Sequence, residues 1–402
     1  MKLRFEPFGA WARLDTLPAL VALDRDAVRA LGYDGGAVWA GPPPDGSRAS
    51  RPLEVHLAVT GRCSVGCSGC YLDARPDGTE PTFAALVERL DRLRDDGVFT
   101  VAFGGGEPTL RGDLLELAEA AHARGLTPVL TTSGIGLTAE RAKALVRFAQ
   151  VNVSYDGEAG TYAAVRGVDG ARHAERAIEL LRALDVRVGV NVVLTRTSFP
   201  RLEDTLLRAR ALGAVEGQLL RYKPAGRAAR LDYLDKRLTE AQIREVPSLL
   251  RRLVTRLHEA PRGGASGADR DGSPRAPFAL RIDCALVPFL VGHAEAPLDG
   301  ADLLARFAVF GCEADAHLAA VTADGNAAPC SFATSIVETG PAPFRARSDA
   351  PPEPCASCSF RRVCRGGCAI VAHHIDGSLG PDPECPRVRA HRAVLPARVE
   401  AG

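Results

Sequence analysis

Eleven cysteines constrain this 402-residue chain more than any other feature, because ten of them fall within two regions, residues 63–70 and 312–385, and Cys284 stands alone between. Their meaning depends on the compartment. The first residues, MKLRFEPFGAW, are interrupted by Glu6 and lead into Arg13. They lack the apolar core of a signal peptide. No apolar run approaches the roughly 20 residues that a spanning helix needs. The expectation is a cytoplasmic protein whose thiols stay reduced. A net charge of +1 gives no electrostatic case for nucleic acid or a membrane as partner. Clustered thiols in such a chain point to metal or cluster ligation rather than to disulfides.

Between the cysteine groups the chain alternates. Short apolar, mostly β-branched stretches at Leu53–Val59, Thr100–Phe103, Pro128–Thr131, Val151–Ser154, Val186–Leu194 and Gln218–Tyr222 read as strands. Amphipathic patterns at Phe83–Leu93, Leu114–Ala123, Ala139–Phe148, Ala171–Leu184 and Leu202–Leu212 read as helices, with Gly125 and Gly213 placed as C-caps. Six strands with helical crossovers predict an α/β fold with a parallel sheet curved into a barrel or partial barrel. Thr239 and Gln242 have capping-box spacing for a helix near Thr239–Glu259, which Pro247 would interrupt or kink. The division that follows is 1–50, an N-terminal extension of hairpin plus helix; 51–260, the barrel; 261–277, a Gly/Ser/Pro-rich linker; and 278–402, a small cysteine-rich domain held by metal groups. The extension reads as packing on the barrel, with a reduced peptide-binding module as the alternative; its helix is expected over Pro18–Leu31.

Cys63, Cys67 and Cys70 form C-x3-C-x2-C in the loop after the first barrel strand. Three thiolates hold three irons of a four-iron cluster and leave the fourth open. Structural zinc asks for four ligands, and the nearest histidine, His56, lies inside the strand. The second strand runs into Gly104-Gly105-Gly106-Glu107-Pro108, where glycines admit a close ligand and a carboxylate suits an ammonium group. The other strand ends carry Ser133, Ser154-Tyr155-Asp156-Gly157, Asn191 and Lys223-Pro224-Ala225-Gly226-Arg227. Functional groups of (β/α) barrels gather at such ends, although a helix cap or turn explains each one alone.

The loop RCSVGCSGCYLDA together with GGGEP resembles the radical S-adenosylmethionine (SAM) superfamily. The resemblance implies a partial (β/α)6 TIM-like barrel. It also implies a [4Fe–4S] cluster on Cys63, Cys67 and Cys70 whose open iron is chelated by SAM, and reductive cleavage of SAM to a 5′-deoxyadenosyl radical. Gly104–Glu107, Ser133, Ser154, Arg166 and Asn191 become candidate SAM-binding residues. This chain has Gly69 before its third cysteine, where many members carry an aromatic residue, and Tyr71 after it.

The C-terminal cysteines, Cys312, Cys330, Cys355, Cys358, Cys364, Cys368 and Cys385, resemble the SPASM domain at its own spacing. The resemblance implies two auxiliary [4Fe–4S] clusters, one on Cys355, Cys358, Cys364 and Cys385. The other takes Cys312, Cys330 and Cys368, with Cys284 as the candidate fourth ligand; a buried free thiol is the alternative for Cys284, and zinc is the alternative for the C-terminal set. His373 and His374 read as surface or packing residues. SPASM-type enzymes mostly modify peptides, so the expectation is a peptide maturase that abstracts hydrogen from a side chain of a precursor peptide and forms a crosslink or another oxidative modification. An external flavodoxin- or ferredoxin-type protein would deliver the electron. Tyr155, Tyr222 and Lys223 are the acid–base candidates. The alternatives are a dehydrogenase, dehydratase or decarboxylase of a small molecule, and a non-catalytic iron–sulfur or zinc scaffold. Ser331 follows Cys330 where sulfatase maturases carry an aspartate base, which argues against formylglycine formation.

Overall fold

Strand alternation sets the architecture. The structure is a computed structural model that describes residues 1–14, 19–44, 49–230, 233–258, 278–290, 309–334 and 342–394. The expected linker 261–277 lies outside the described residues. The chain opens with β1 (Lys2–Glu6), β2 (Gly9–Leu14) and β3 (Ala19–Asp24), an antiparallel sheet in the order β1-β2-β3. Of the helix expected over Pro18–Leu31, the first half, Ala19–Asp24, is therefore strand, and Pro18 lies outside the described residues. Leu20 and Ala22 pair with Arg13 and Trp11 of β2. Only α1 (Arg25–Ala30) is helical there, started by Asp24, whose side chain accepts from the amide of Ala27 at 2.7 Å.

Six parallel strands follow: β4 (Glu54–Thr60), β5 (Thr100–Gly105), β6 (Thr127–Thr132), β7 (Val151–Ser154), β8 (Val188–Leu194) and β9 (Glu216–Arg221). The helices α2 (Phe83–Asp95), α3 (Leu114–Ala123), α4 (Ala139–Lys143), α5 (Ala159–Arg166), α6 (Ala171–Ala183) and α7 (Leu202–Leu212) lie between them. Alternate strand residues point to opposite faces. Val55, Leu57 and Val59 of β4, Val101 and Phe103 of β5, and Val151 and Val153 of β7 are buried in one core with Leu86 and Leu90 of α2 and Leu117 of α3. Burial of each such side chain contributes about 1.5–3 kcal/mol relative to exposure. The intervening residues, among them His56, Ser154 and Asn191, face the concave side and are only partly buried.

The sheet crosses the boundary read at residue 278. β10 (Ala279–Ile282) pairs in parallel with β9, and β11 (Leu318–Val321) pairs in parallel with β4 and carries β12 (Ala327–Ala328). The order is β10-β9-β8-β7-β6-β5-β4-β11-β12. The cysteine-rich segment thus contributes a strand to each side of the six-strand barrel, and the barrel is open between β10 and β12. After α8 (Tyr233–Lys236), α9 (Glu240–His258) runs through Pro247 as one helix. Its capping box is formed: Thr239 N–H donates to Gln242 Oε1 at 2.9 Å and Gln242 N–H to Thr239 Oγ1 at 3.2 Å.

The N-terminal sheet packs on the face opposite the strand C-termini. Lys2 Nζ donates to the carbonyl of Val98 at 2.9 Å, Arg4 to Pro52 O at 2.8 Å and Arg13 to Gly125 O at 2.9 Å. All three acceptors lie in segments that lead into β4, β5 or β6.

A buried ion network ties the C-terminal segment to the barrel. Arg221, at the outward-facing end of β9, donates to Asp382 at 2.6 and 3.1 Å and to Glu384 at 2.6 Å. All three side chains are within 3% of full burial. Asp382 also accepts from the amide of Cys368 at 2.9 Å, and its carbonyl accepts from the amide of Cys385 at 3.1 Å.

Candidate active site at the C-terminal ends of the strands

The three-cysteine loop follows β4 and is held by hydrogen bonds from three segments. Cys63 N–H donates to Arg75 O at 2.8 Å, and Ser68 N–H donates to Arg166 O at 2.9 Å at the end of α5. The carbonyl of Cys70 accepts from Arg227 N–H at 2.8 Å, and that of Cys67 from Arg227 Nε at 3.1 Å. Arg227 also donates to Ala74 O at 2.7 Å. Sequence reasoning noted KPAGR only as a polar strand end; its arginine is the clamp of the cysteine loop. Glycine is required beside it, because a Cβ on Gly226 would stand 2.4 Å from Tyr71 O.

The glycines after β5 divide their work. A Cβ on Gly105, at φ +117°, would stand 2.1 Å from Thr60 O, and one on Gly106 would stand 2.0 Å from Arg62 O. These two let β5 run against the start of the cysteine loop, and Gly106 N–H and Glu107 N–H donate to Thr60 O and Arg62 O at 2.7 and 2.8 Å. Gly104 is different: a side chain there would meet nothing within 4 Å. Its missing Cβ leaves open space on the concave face.

Glu107 is 2% exposed and both of its oxygens are occupied. Oε1 accepts from Thr109 N–H at 3.2 Å, Thr109 O–H at 2.7 Å and Thr132 O–H at 2.7 Å; Oε2 accepts from Ser133 N–H at 2.8 Å and Ser133 O–H at 2.7 Å. The carboxylate is therefore a hub joining the ends of β5 and β6, and Ser133 is oriented by it.

Ser154 and Asn191 are register partners on β7 and β8 and share the concave face. The buried Asn191 Oδ1 has no hydrogen-bond partner, an orphaned acceptor at the rim where a donor on a bound group would satisfy it. Arg166 donates through Nε to the fully buried Asp156, whose other oxygen accepts from Val193 N–H at 2.7 Å. The guanidinium lies beside Cys67 and opposes the upward push that burial gives that thiol.

The three acid–base candidates do not converge on this rim. Tyr155 follows the inward Ser154 and so points outward. It is 1% exposed in the core, with its hydroxyl donating to Glu175 of α6 at 2.9 Å. Burial and that carboxylate push its pKa up. Tyr222 packs against Gly69 and Tyr233 and donates to Ala228 O at 3.3 Å; burial pushes its hydroxyl up to about 12. Lys223 is buried in an ion pair with Asp283, with its ammonium 4.2 Å from the Phe332 ring centroid; it lies beside Cys284 and Cys368 and is held protonated.

A titratable group that sequence reasoning passed over does face the concave side. His56 Nε2 lies 3.0 Å from Glu54 Oε1, and Nδ1 is hydrogen-bonded to the hydroxyl of Ser331. A carboxylate only accepts, so a neutral imidazole donates from Nε2 and accepts at Nδ1 from Ser331. The His56 side chain is 38% exposed. Ser331 is 275 residues away, beyond any local motif.

The remaining cysteines form two sets, and none of the eleven is in a disulfide. Cys355, Cys358, Cys364 and Cys385 line one cavity with Arg361, Gly366 and Arg387 at its wall and mouth; its empty space is about 320 Å³, solvent at the mouth included. Burial, then Cys385, pushes the Cys355 thiol up to about 11. Cys284, Cys312, Cys330 and Cys368 lie within electrostatic reach of one another. Burial, then Cys312, pushes Cys330 up to about 12, and burial, Asp283 and Cys312 push the Cys284 thiol well above its ordinary range. Tyr71 and Phe332 stack at 4.5 Å between the first loop and this set. Buried thiols that raise one another ionise readily only around a cationic group. Both donor sets fit iron–sulfur groups in this respect, and the four thiols of the 355–385 set face one cavity. Among the described residues no three His, Cys, Asp or Glu side chains converge closely enough for a single metal ion. Among them, too, no helix is long and apolar enough to cross a membrane.

Comparison with known proteins points the same way. Residues 57–208 match the model of the radical SAM superfamily. The chain is 25% identical over 363 residues to the AdoMet-dependent heme synthase of Nitratidesulfovibrio vulgaris, covering 82% of this chain and 91% of that protein. It is 28% identical over 362 residues to the PqqA peptide cyclase of Bradyrhizobium diazoefficiens, covering 86% and 88%. Among solved structures, Streptococcus suis SuiB bound to its precursor peptide SuiA matches with a TM-score of 0.68 at 15% identity, over 96% of this chain and 98% of that one. The structural likeness carries the fold.

Proposed function

Because this chain is a radical SAM superfamily enzyme with its radical SAM domain at residues 57–208, we propose that it matures a peptide, oxidising a side chain after hydrogen abstraction. The observation that carries the reading is the rim built from the Cys63–Cys70 loop, the open face at Gly104, Ser133 on its Glu107 hub and the unsatisfied Asn191. Cys63, Cys67 and Cys70 would hold a [4Fe–4S] cluster with an open iron, and Gly104, Ser133, Ser154, Asn191 and Arg166 would surround SAM. Bound there, cluster and SAM supply the hydrogen-abstracting 5′-deoxyadenosyl radical. The peptide substrate is supported by the PqqA peptide cyclase among the relatives.

Two auxiliary [4Fe–4S] clusters belong to the same proposal, one on Cys355, Cys358, Cys364 and Cys385, the other on Cys284, Cys312, Cys330 and Cys368. The cavity lined by the first set and the mutual electrostatic coupling within the second support it. A substrate radical that closes a new bond releases one proton and one electron. His56 is the proton acceptor in this reading: Ser331 O–H bonds its Nδ1 and Glu54 would stabilise the imidazolium. An auxiliary cluster held by one of these two cysteine sets would take up the electron, and an external flavodoxin- or ferredoxin-type protein would donate the electron that starts the cycle.

The test is anaerobic co-expression with the short open reading frames beside the gene, followed by mass spectrometry of each peptide. Loss of one hydrogen pair from a peptide, dependent on Cys67, is the expected result. Unchanged peptides with SAM still consumed would favour the second reading, a small-molecule substrate, which the heme synthase among the relatives supports.

A further inference from the structure

We propose that Arg347 sets the reduction potential of the iron–sulfur group at Cys355, Cys358, Cys364 and Cys385 and makes that site the end point for the substrate's electron. The proposal rests on the cluster reading above. Arg347, in the helix Ala342–Asp349, is 6% exposed, and among the described residues its guanidinium partners are all carbonyl oxygens. Nη1 donates to Arg365 O at 3.2 Å and Gly367 O at 3.1 Å, Nη2 to Gly366 O at 2.6 Å and Nε to Gly380 O at 3.0 Å.

Those carbonyls belong to the turn between Cys364 and Cys368 and to the segment that leads to Cys385. Gly366 is part of the cavity wall, and a Cβ there would stand 3.3 Å from the Arg347 guanidinium carbon. The cation therefore lies directly behind the wall of the four-thiol cavity. Burying a lone cation is costly, and carbonyl dipoles offset only part of that cost. A cluster carrying four thiolates is an anion, and it becomes more negative on reduction. It would compensate the charge that the protein leaves open.

Among the described residues the second set has no such cation. Lys223 beside Cys284 is neutralised by Asp283. Arg221, which acts on Cys368, and Arg237 balance Asp382 and Glu384. Arg361 and Arg387 also line the four-thiol cavity but are exposed to solvent, and Arg365 is only half-buried. Among the described residues Arg347 is the buried cation there without a carboxylate partner, and it favours the reduced state at the 355–385 site over the reduced state at the other.

The test is a dithionite titration of iron- and sulfide-reconstituted protein followed by electron paramagnetic resonance, with the 355–385 couple assigned by its loss in Cys358→Ala. In Arg347→Gln that couple becomes at least tenfold harder to reduce, about 59 mV for one electron, while the other couples stay within threefold of wild type. An unchanged couple, or an equal shift of all couples, overturns the proposal. Where Arg347→Gln loads too little iron, Arg347→His decides: its midpoint falls as pH rises through the histidine titration, near 6.5 in model peptides, whereas a midpoint as flat as that of wild type overturns it. Wild-type protein that binds no iron at these four cysteines sinks the cluster reading itself; full iron loading without the Arg347 effect sinks this proposal alone.

Discussion

Replacing Glu107 by glutamine tests whether its carboxylate holds the rim together or merely awaits a ligand. Five donors converge on it: two backbone amides, of Thr109 and Ser133, and three hydroxyls. The hydroxyls can rotate to accept, but the amides cannot reverse. In Glu107→Gln the less costly placement turns the new NH2 toward Thr109, whose amide bond is the longest at 3.2 Å, and keeps the Ser133 amide bond at 2.8 Å. One buried N–H is then unsatisfied, costing about 1–3 kcal/mol, and the surviving bonds lose their charge assistance at roughly 1 kcal/mol each. A net loss of about 4 kcal/mol is expected. Calorimetry or denaturant titration of the variant without SAM measures it, alongside 5′-deoxyadenosine formation, which should fall at least a hundredfold because Ser133 is released. A carboxylate kept only to bind the SAM ammonium group would leave stability without SAM unchanged. Glu107→Gln with wild-type stability would refute the hub argument, whatever it does to turnover.

Three further outcomes follow from the same contacts. Arg221→Met strands Asp382 in the interior, while Glu384 keeps Arg237, and should cost about 3–5 kcal/mol; chemical denaturation measures this, and iron loading falls with it because Asp382 bonds the backbone at both Cys368 and Cys385. Tyr155→Phe removes a single hydrogen bond to Glu175 on the outer side of the barrel, so stability drops by about 1.5–3 kcal/mol while 5′-deoxyadenosine formation stays within twofold. His56→Gln should keep that formation but lower modified peptide about 10²- to 10⁴-fold, read by mass spectrometry after co-expression.

The sequence carried the barrel because its strand code is local. Val151–Ser154 and Leu202–Leu212 match the structure to the residue, and the other barrel strands agree within about two residues. The same alternation, continued one residue past Ser154, turns Tyr155 outward, and applying it there would have removed that candidate. The strand β3 was read as helix because Leu20, Val21 and Leu23 fit either period; pairing with β2 decides it. β10 and β11 are four residues each inside a cysteine-rich segment and exist through pairing with strands some 60 and 260 residues earlier. No periodicity announces them. The cysteines were legible because their ligand chemistry is local in spacing. The His56–Ser331 bond, the Arg221–Asp382 pair and the Arg347 cradle are contacts between remote segments of ordinary composition, and only the folded chain displays them.

The central claim is that Cys63, Cys67 and Cys70 hold a cluster whose open iron takes SAM at this rim. The most direct measurement is 5′-deoxyadenosine released from SAM by dithionite-reduced, iron- and sulfide-reconstituted protein under anaerobic conditions. The account predicts release by wild type and none by Cys67→Ala. Iron-loaded wild type that leaves SAM intact, or a Cys67→Ala variant that cleaves it equally well, would contradict it.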